Sequence, residues 1–133
     1  RLNMFFYDPK LKAKLPYYDR FPLVLPLEKY TDGFLGINFH YLPIPLRVKL
    51  LDRMVDFSNN TKFDESTILD VDYKAVRRIR LIKPTLKRYL AGKVKSRFRR
   101  IDADEFIVAT LLPVARWSKA EAATVHKDSR GML

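Results

Sequence analysis

Apolar and polar residues follow a strand-like pattern in two neighbouring segments of the chain. Residues 21–28 and 34–42 are rich in aliphatic and aromatic side chains, which is typical of strands. Asp32-Gly33 lies between them, and this dipeptide favours the positive φ of a tight turn. The pattern therefore predicts an antiparallel hairpin over residues 21–42. Pro22 and Pro26 lie on the same side of the first strand, which predicts an edge strand that pairs through its other side.

The segment after the hairpin shows the period of an amphipathic helix. Pro45 lies where a helix tolerates proline, in its first turn, and Ser58-Asn59-Asn60 ends the run. The apolar stripe consists of Leu46, Leu50, Leu51, Met54 and Val55. This spacing predicts a helix that packs on the core.

Local signals predict further helices in the second half of the chain. Asp72 can cap a helix over residues 73–82, which Pro84 ends or kinks, and a third helix is expected from Thr85. Residues 93–101 fit either a continuation of that helix or a strand, and we favour the helix.

Two capping-box signatures follow towards the end of the chain. The first opens at Asp102 and precedes a segment over residues 106–112, for which a helix and a buried strand are both open. The second opens at Ser118 and starts a last helix that ends near Gly131.

Together these elements predict the fold class: one small α+β domain over residues 1–133, in which an antiparallel hairpin packs against about four to five helices. The domain begins with an extended aromatic arm over residues 1–20. After the hairpin over residues 21–42, the remainder from residue 44 to 133 is expected to be mainly helical.

Composition limits the possible chemistry and location. The chain has 133 residues, is 47% hydrophobic and contains no cysteine, which excludes a disulfide scaffold, a thiol nucleophile and a Cys-ligated metal. No apolar run approaches the roughly 18 residues of a membrane span, and the N-terminus lacks a signal-peptide layout. These features favour a soluble protein of a reducing compartment or of a particle. Because the chain begins with Arg1 and not with Met, we expect a fragment or a processed product.

Charge is concentrated in one segment. The formal net charge is +11, but residues 73–100 hold twelve bases and no acid, whereas the other 105 residues, with fourteen bases and fifteen acids, carry −1. Because like charges at this density repel one another unless a polyanion or an acidic protein is bound, the segment predicts a DNA-binding surface that is phosphate-directed and insensitive to sequence. Docking on acidic protein neighbours is the alternative. The candidate DNA contacts are Lys74, Arg77, Arg78, Arg80, Lys87, Arg88, Lys93, Lys95, Arg97, Arg99 and Arg100.

The sequence offers little catalytic chemistry. Its two histidines, His40 and His126, lack the close spacing of a zinc motif, and four glycines are too few for a phosphate-cradling loop. Acidic residues near expected helix starts are explained by capping, and Asp72-Tyr73-Lys74 with Asp64 is a weak match to a metal-nuclease half-site. We therefore expect a non-enzymatic protein without a cofactor or a metal.

The aromatic arm offers a second candidate surface. Its rings either pack on the domain's own core, which we favour, or dock on another chain. The candidate protein-interface residues are Phe5, Phe6, Tyr7, Tyr17 and Tyr18.

Several runs of the sequence are distinctive as motifs. They are Tyr7-Asp8-Pro9-Lys10, residues 15–23, residues 32–43, residues 83–90, Ser96-Arg97-Phe98 and residues 127–130. Together they resemble a family of virion proteins from large contractile-tailed phages of the T-even type. Within that group the chain is similar to the DNA end-protector type, with a neck or baseplate component as the alternative.

The resemblance implies a place in the virion, and in the host cytoplasm during assembly. It also implies phage DNA and other phage structural proteins as partners, and no membrane. The resemblance does not fix the oligomeric state, and a symmetric ring is one option.

Overall fold

The computed structural model of the protein describes residues 2–56 and 73–133. Its strands are β1 Asn3–Met4, β2 Tyr18–Asp19, β3 Leu23–Lys29, β4 Gly33–Asn38, β5 Leu86–Leu90, β6 Arg99–Arg100 and β7 Trp117–Ser118. Its α-helices are α1 Ile44–Asp56, α2 Tyr73–Val76, α3 Phe106–Leu111 and α4 Ala122–Gly131. Five strands form an antiparallel sheet in the order β5-β4-β3-β1-β6, and β2 pairs with β7 in a separate ribbon. This arrangement confirms a small α+β domain.

Apolar side chains cover both faces of the large sheet. On one face, which we call the helix face, Leu23, Leu25 and Ile37 pack in one cluster with residues of α1, α2 and α3. On the opposite face, which we call the arm face, Phe5 and Tyr7 of the arm form a second cluster with Val24 of β3 and Tyr89 of β5. No helix in the described part of the chain is long and apolar enough to cross a membrane.

The segments predicted as a hairpin lie at the centre of the sheet. β3 and β4 pair antiparallel, with a register shift between Pro26 and Glu28. β3 also pairs with β1 through Leu23 and Val24, so the prediction of an edge strand is wrong. Because β1 is only two residues long, β3 has no neighbour on that side at Pro26, and a missing N–H breaks no hydrogen bond to β1 there.

Gly33 is needed because the main chain of β5 lies close to it, and not because it adopts a positive φ. No described glycine has a positive φ, so the prediction that Asp32-Gly33 supplies one is wrong. A Cβ atom on Gly33 would lie 1.9 Å from the carbonyl oxygen of Tyr89. The absence of a side chain therefore allows β5 to pair with the start of β4.

Residues predicted as a third helix form β5 instead. This strand pairs with β4 along its whole length, from Leu86 opposite Ile37 to Leu90 opposite Gly33, and the ring of Tyr89 stacks on a neighbouring ring of β4. Pairing with the free edge of β4 outweighs the helical spacing of the apolar residues, since strand formation depends on cross-strand packing.

Residues 94–101 are not helical, so the prediction that a helix continues through residues 93–101 is wrong. Residues 91–93 form a short 3-10 helix, Val94 bridges to Tyr7 of the arm, and Arg99–Arg100 forms β6 against β1. Among the described residues after position 44, the strands β5, β6 and β7 therefore lie between the helices.

The remaining helices agree with the sequence pattern in position. α1 and α4 confirm the helices predicted there, and α3 decides between the helix and the strand left open for residues 106–112. α2 spans four residues and is followed by a 3-10 helix at Arg80–Ile82. Neither Glu105 of α3 nor Glu121 of α4, the N-cap residues, makes a side-chain capping hydrogen bond. The capping box predicted at Ser118 is wrong, because Ser118 lies in β7 and α4 begins at Ala122. The predicted stop at residues 58–60 and the cap at Asp72 lie outside the described residues.

Candidate nucleic-acid interface

The basic segment does not form a single surface in the folded chain. β5 and β6, which both belong to it, lie at opposite edges of the large sheet. Among the predicted DNA contacts, the exposed ones are Lys74, Arg77, Arg78, Arg80, Arg88, Lys95, Arg97, Arg99 and Arg100, and the half-buried ones are Lys87 and Lys93. The structure therefore distributes these cations over several places.

One group of cations lies beside α1, and we call it the helix-side basic surface. It consists of Lys49, Arg53, Arg77, Arg78, Arg80 and Lys83. These side chains line two adjoining depressions of about 370 and 380 Å³, which share Arg78 and Arg80. No acidic side chain of the described residues lines either depression. Within the described chain, none of the six cations has an ion pair or a side-chain hydrogen bond.

Apolar residues at every third position orient this surface. Val76, Ile79 and Ile82 are buried in the core on the helix face. The bases between them are exposed, because burial of these three anchors turns the intervening positions outward. On α1, Lys49 and Arg53 are four residues apart and so lie on one side of the helix.

A second group of cations lies along the arm, and we call it the arm-side basic surface. It consists of Lys10, Lys12, Lys14, Lys93 and Lys95. The arm runs beside the basic segment because the Asp8 N–H donates to the Lys93 carbonyl at 3.0 Å and the Lys95 N–H donates to the Phe6 carbonyl at 2.7 Å. A hydrogen bond from Lys12, at 3.0 Å, and the charges of nearby lysines lower the pKa of the Asp8 carboxyl.

Lys119 holds the turn of the arm in place. Its ammonium donates to the carbonyl oxygens of Lys12, Ala13 and Leu15 at 2.6, 3.3 and 2.9 Å. Lys119 itself has a φ of 72°, in the left-handed region. Three carbonyl acceptors on one ammonium fix the loop over residues 12–15, which connects the arm-side lysines to the domain.

Two predicted contacts on β5 have intramolecular neighbours. Arg88 pairs with Asp32 and lies 4.3 Å from the ring centroid of Tyr30. Lys87 lies 4.0 Å from the ring centroid of Tyr41, on the arm face. Arg88 therefore has its charge balanced by the hairpin, whereas Lys87 faces an aromatic ring and no acid among the described residues.

The aromatic arm is divided between core and surface. Phe5 and Tyr7 are buried and make edge-to-face contacts with Tyr89. Phe6 is 42% exposed. Tyr17 and Tyr18 are half-buried. Of the predicted interface residues, only Phe6, Tyr17 and Tyr18 are exposed enough to contact a partner.

Acidic residues gather at one exposed place. Asp102, Asp104 and Glu105 bring carboxylate oxygens within 4.8 Å of one another ahead of α3. Exposed acidic groups at a helix start need no ion to explain them, and we assign no metal. The nuclease half-site at Asp64 and Asp72 lies outside the described residues.

The list of predicted contacts missed six basic residues that the fold adds to it, and one of them, Lys83, lies within the basic segment itself. Lys10, Lys12 and Lys14 alternate along the arm, and this run of bases was a visible signal. Lys49 and Arg53 are four residues apart on a correctly predicted helix, so their common side was also deducible. Their proximity to the bases after α2 was not, since it depends on tertiary packing.

Fold and surfaces together define a small basic α+β domain in which a set of exposed cations lacks acidic partners among the described residues. A family model described as Phage T4 terminal DNA protecting protein matches residues 1–127. The chain therefore belongs to this family, which confirms its resemblance to the DNA end-protector type. No curated protein and no solved structure matches the chain.

Proposed function

We propose that the protein protects phage DNA ends by binding the sugar–phosphate backbone through its helix-side basic surface, without catalysing a reaction. The observation that carries this proposal is the set of six exposed cations without acidic partners in the described chain. Each cation that neutralises a phosphate releases condensed counterions, so affinity is insensitive to sequence and falls steeply with salt. The arginines add bidentate contacts to phosphate oxygens.

A protein bound at a DNA end protects that end by covering it. An enzyme that degrades DNA from its ends needs access to the terminal nucleotides, and a bound basic domain excludes it. The exposed bases of the arm-side surface and of residues 97–100 supply further phosphate contacts at other places on the domain.

The test removes two cations from the centre of the surface. In the double variant Arg78→Gln and Arg80→Gln, the slope of log affinity for linear duplex DNA against log salt concentration should become shallower by about 1.8, at about 0.9 per phosphate contact. Fluorescence anisotropy over a salt series measures this slope. Resistance of the bound ends to an exonuclease should fall in parallel.

The matched control is Lys29→Gln with Lys127→Gln. Both lysines are exposed, neither lines the helix-side basic surface, and the variant loses the same net charge. Its slope should stay close to that of the parent protein, since neither lysine lines the surface that is proposed to neutralise phosphates. Equal slopes for the test variant and the control would refute the assignment of the surface.

A second candidate function is an architectural subunit of the tail, neck or baseplate whose basic face docks on acidic neighbours. A separate observation favours a protein contact: Ile107, Val108, Leu111 and Leu112, on or next to α3, are each 44–55% exposed. Apolar side chains concentrated on one short segment mark interaction sites. This alternative predicts little retention of DNA by the isolated protein in filter binding near physiological salt, whereas our proposal predicts clear retention.

A further inference from the structure

A cleft of about 450 Å³ lies on the arm face between the arm and β5. One wall is the turn of the arm over residues 9–18, and the other contains Lys87 and Tyr41. Its volume falls in the range of small-molecule sites. The cleft has room for a ligand of nucleotide size and none for a continuous duplex.

The ammonium of Lys87 is the distinctive group in this cleft. Lys87 pairs with Gly36 across the sheet, so its side chain lies on the arm face next to a residue without a side chain. It is half-buried, and burial lowers its pKa. No acid or hydrogen-bond acceptor among the described residues pairs with it. A cation taken partly out of water without an anion costs free energy, which binding of an anion recovers.

Among the described residues, Asp19 is the only carboxylate in the wall of the cleft, and it is already engaged. Asp19 accepts from the N–H groups of Phe21 and Arg116 at one oxygen, and from the side chains of Asn38 and His40 at the other. Because both oxygens are used, Asp19 does not serve as the counterion of Lys87. An anion that pairs with Lys87 would therefore have to come from outside the described residues.

The rest of the lining suits the sugar and base of a nucleotide. Tyr17 and Tyr18 line the cleft and are half-buried, and the Tyr18 hydroxyl makes no hydrogen bond with the described residues. Aromatic rings provide stacking surfaces for bases. Lys10 adds a second, exposed cation to the lining.

We propose that this cleft holds the phosphorylated terminal nucleotide of a DNA end, with the Lys87 ammonium on the terminal phosphate and tyrosine rings against the sugar and base. This proposal rests on the proposed function, since it assumes that the protein binds DNA. A chain end reaches a half-buried ammonium beneath the arm, whereas an internal phosphate of a stiff duplex does not. The cleft thus explains how a protein with phosphate-directed contacts distinguishes an end from the rest of the duplex.

The experiment compares blunt hairpin duplexes that have one free end. Three versions carry a 5′-phosphate, a 3′-phosphate or only hydroxyls at that end, and covalently closed circular DNA and free deoxynucleoside monophosphates serve as competitors. We expect the protein to prefer a phosphorylated end over the hydroxyl end by about tenfold or more, as for one charge-assisted hydrogen bond. Free monophosphates should compete much more weakly than the phosphorylated hairpin.

Two variants assign the preference to the cleft. Lys87→Met should reduce the preference to near unity while affinity for closed circular DNA and its salt slope stay unchanged. Lys10→Gln, which removes the second, exposed cation of the lining, should reduce the preference in part, and it keeps the test decisive if Lys87→Met does not fold. Circular dichroism checks that each variant is folded.

The outcomes separate the two proposals. If the parent protein binds circular DNA but does not discriminate between the ends, or if free monophosphates compete equally well, the cleft proposal fails and the proposed function stands. If the preference survives in both folded variants, the cleft proposal also fails. If the protein binds neither circular nor linear DNA, the proposed function fails and the cleft proposal with it.

Discussion

Replacement of Asp19 by alanine tests the buried polar network that joins the arm to the sheet. Asp19 is 4% exposed and accepts four hydrogen bonds, of 2.7 Å from His40, 3.0 Å from the Asn38 side chain, and 2.9 and 3.0 Å from the N–H groups of Phe21 and Arg116. The network therefore connects β2 to the end of β4 and to the segment before β7.

The expected loss follows from which donors lie out of reach of water. The donors on Asn38 and His40 are fully buried, whereas the two main-chain N–H groups are only partly buried and can be hydrated. Each buried donor left without an acceptor costs about 1–3 kcal/mol. Asp19→Ala should therefore lower the free energy of unfolding by about 3–5 kcal/mol, a large part of the roughly 5–15 kcal/mol of a domain.

Urea denaturation followed by circular dichroism measures this loss, with an unchanged dependence on urea as evidence that the folded state is still compact. Asp128→Ala is the matched control. Asp128 is exposed and accepts one hydrogen bond, of 3.0 Å, from Tyr17, so its removal should cost less than about 0.5 kcal/mol. A loss below about 1 kcal/mol for Asp19→Ala would refute the reasoning.

The same network predicts that the stability of the fold depends on pH. Burial acts to raise the pKa of Asp19, but the hydrogen bonds from His40, Asn38 and Phe21 outweigh it and lower the pKa below its ordinary value. A carboxyl with a lowered pKa contributes stability above its unfolded pKa of about 3.9, and this contribution is lost as the pH falls through the folded pKa. The difference in stability between the parent protein and Asp19→Asn should therefore shrink below about pH 4. A difference that stays constant down to pH 2.5 would contradict this assignment.

Two further substitutions test how the elements are joined, each by urea denaturation. Gly33→Ala should lower the free energy of unfolding by about 1–3 kcal/mol or prevent folding, because the new Cβ meets the carbonyl of Tyr89. Gly92→Ala is the control: a Cβ there has no atom within 4 Å, so stability should be unchanged or slightly higher. Arg47→Met should lower the free energy of unfolding by about 2–4 kcal/mol. Arg47 is 2% exposed and donates to the Leu42 carbonyl at 2.7 Å. Burial lowers the pKa of Arg47 to about 10, so the side chain keeps its charge at neutral pH. Equal stability of the two alanine variants, or a neutral Arg47→Met, would contradict these contacts.

Elements whose signal is local were predictable from the sequence. α1 buries one side of a helix, so the spacing of its apolar residues located it without knowledge of any partner. α4 was located by its start and stop signals and not by apolar spacing. β5 was not predictable in this way. Its residues Leu86 and Leu90 also suit a helix, and only the free edge of β4, with Gly33 leaving room for the main chain of β5, selects the strand.

The candidate site was predictable in composition and not in arrangement. The sequence locates the bases between residues 73 and 100, but the order of strands places β5 and β6 at opposite edges of the sheet. It also does not show that Lys49 and Arg53 join Arg78 and Arg80 around one depression. The sequence predicts Lys87 as an exposed base, whereas in the fold it is half-buried beside the arm. These relations depend on contacts between residues distant in the chain.

Pairing within the molecule separates cations that support the fold from cations available to a ligand. Arg88 pairs with Asp32, Lys119 donates to three carbonyls of the arm, and Arg47 donates to carbonyls in the core. Arg78 and Lys87 have no such acceptors among the described residues. Removing a paired cation therefore weakens the fold and the binding together, whereas removing an unpaired one changes binding alone. Net charge by itself does not identify the contacts with DNA, and variants chosen by their lack of an internal partner test those contacts directly.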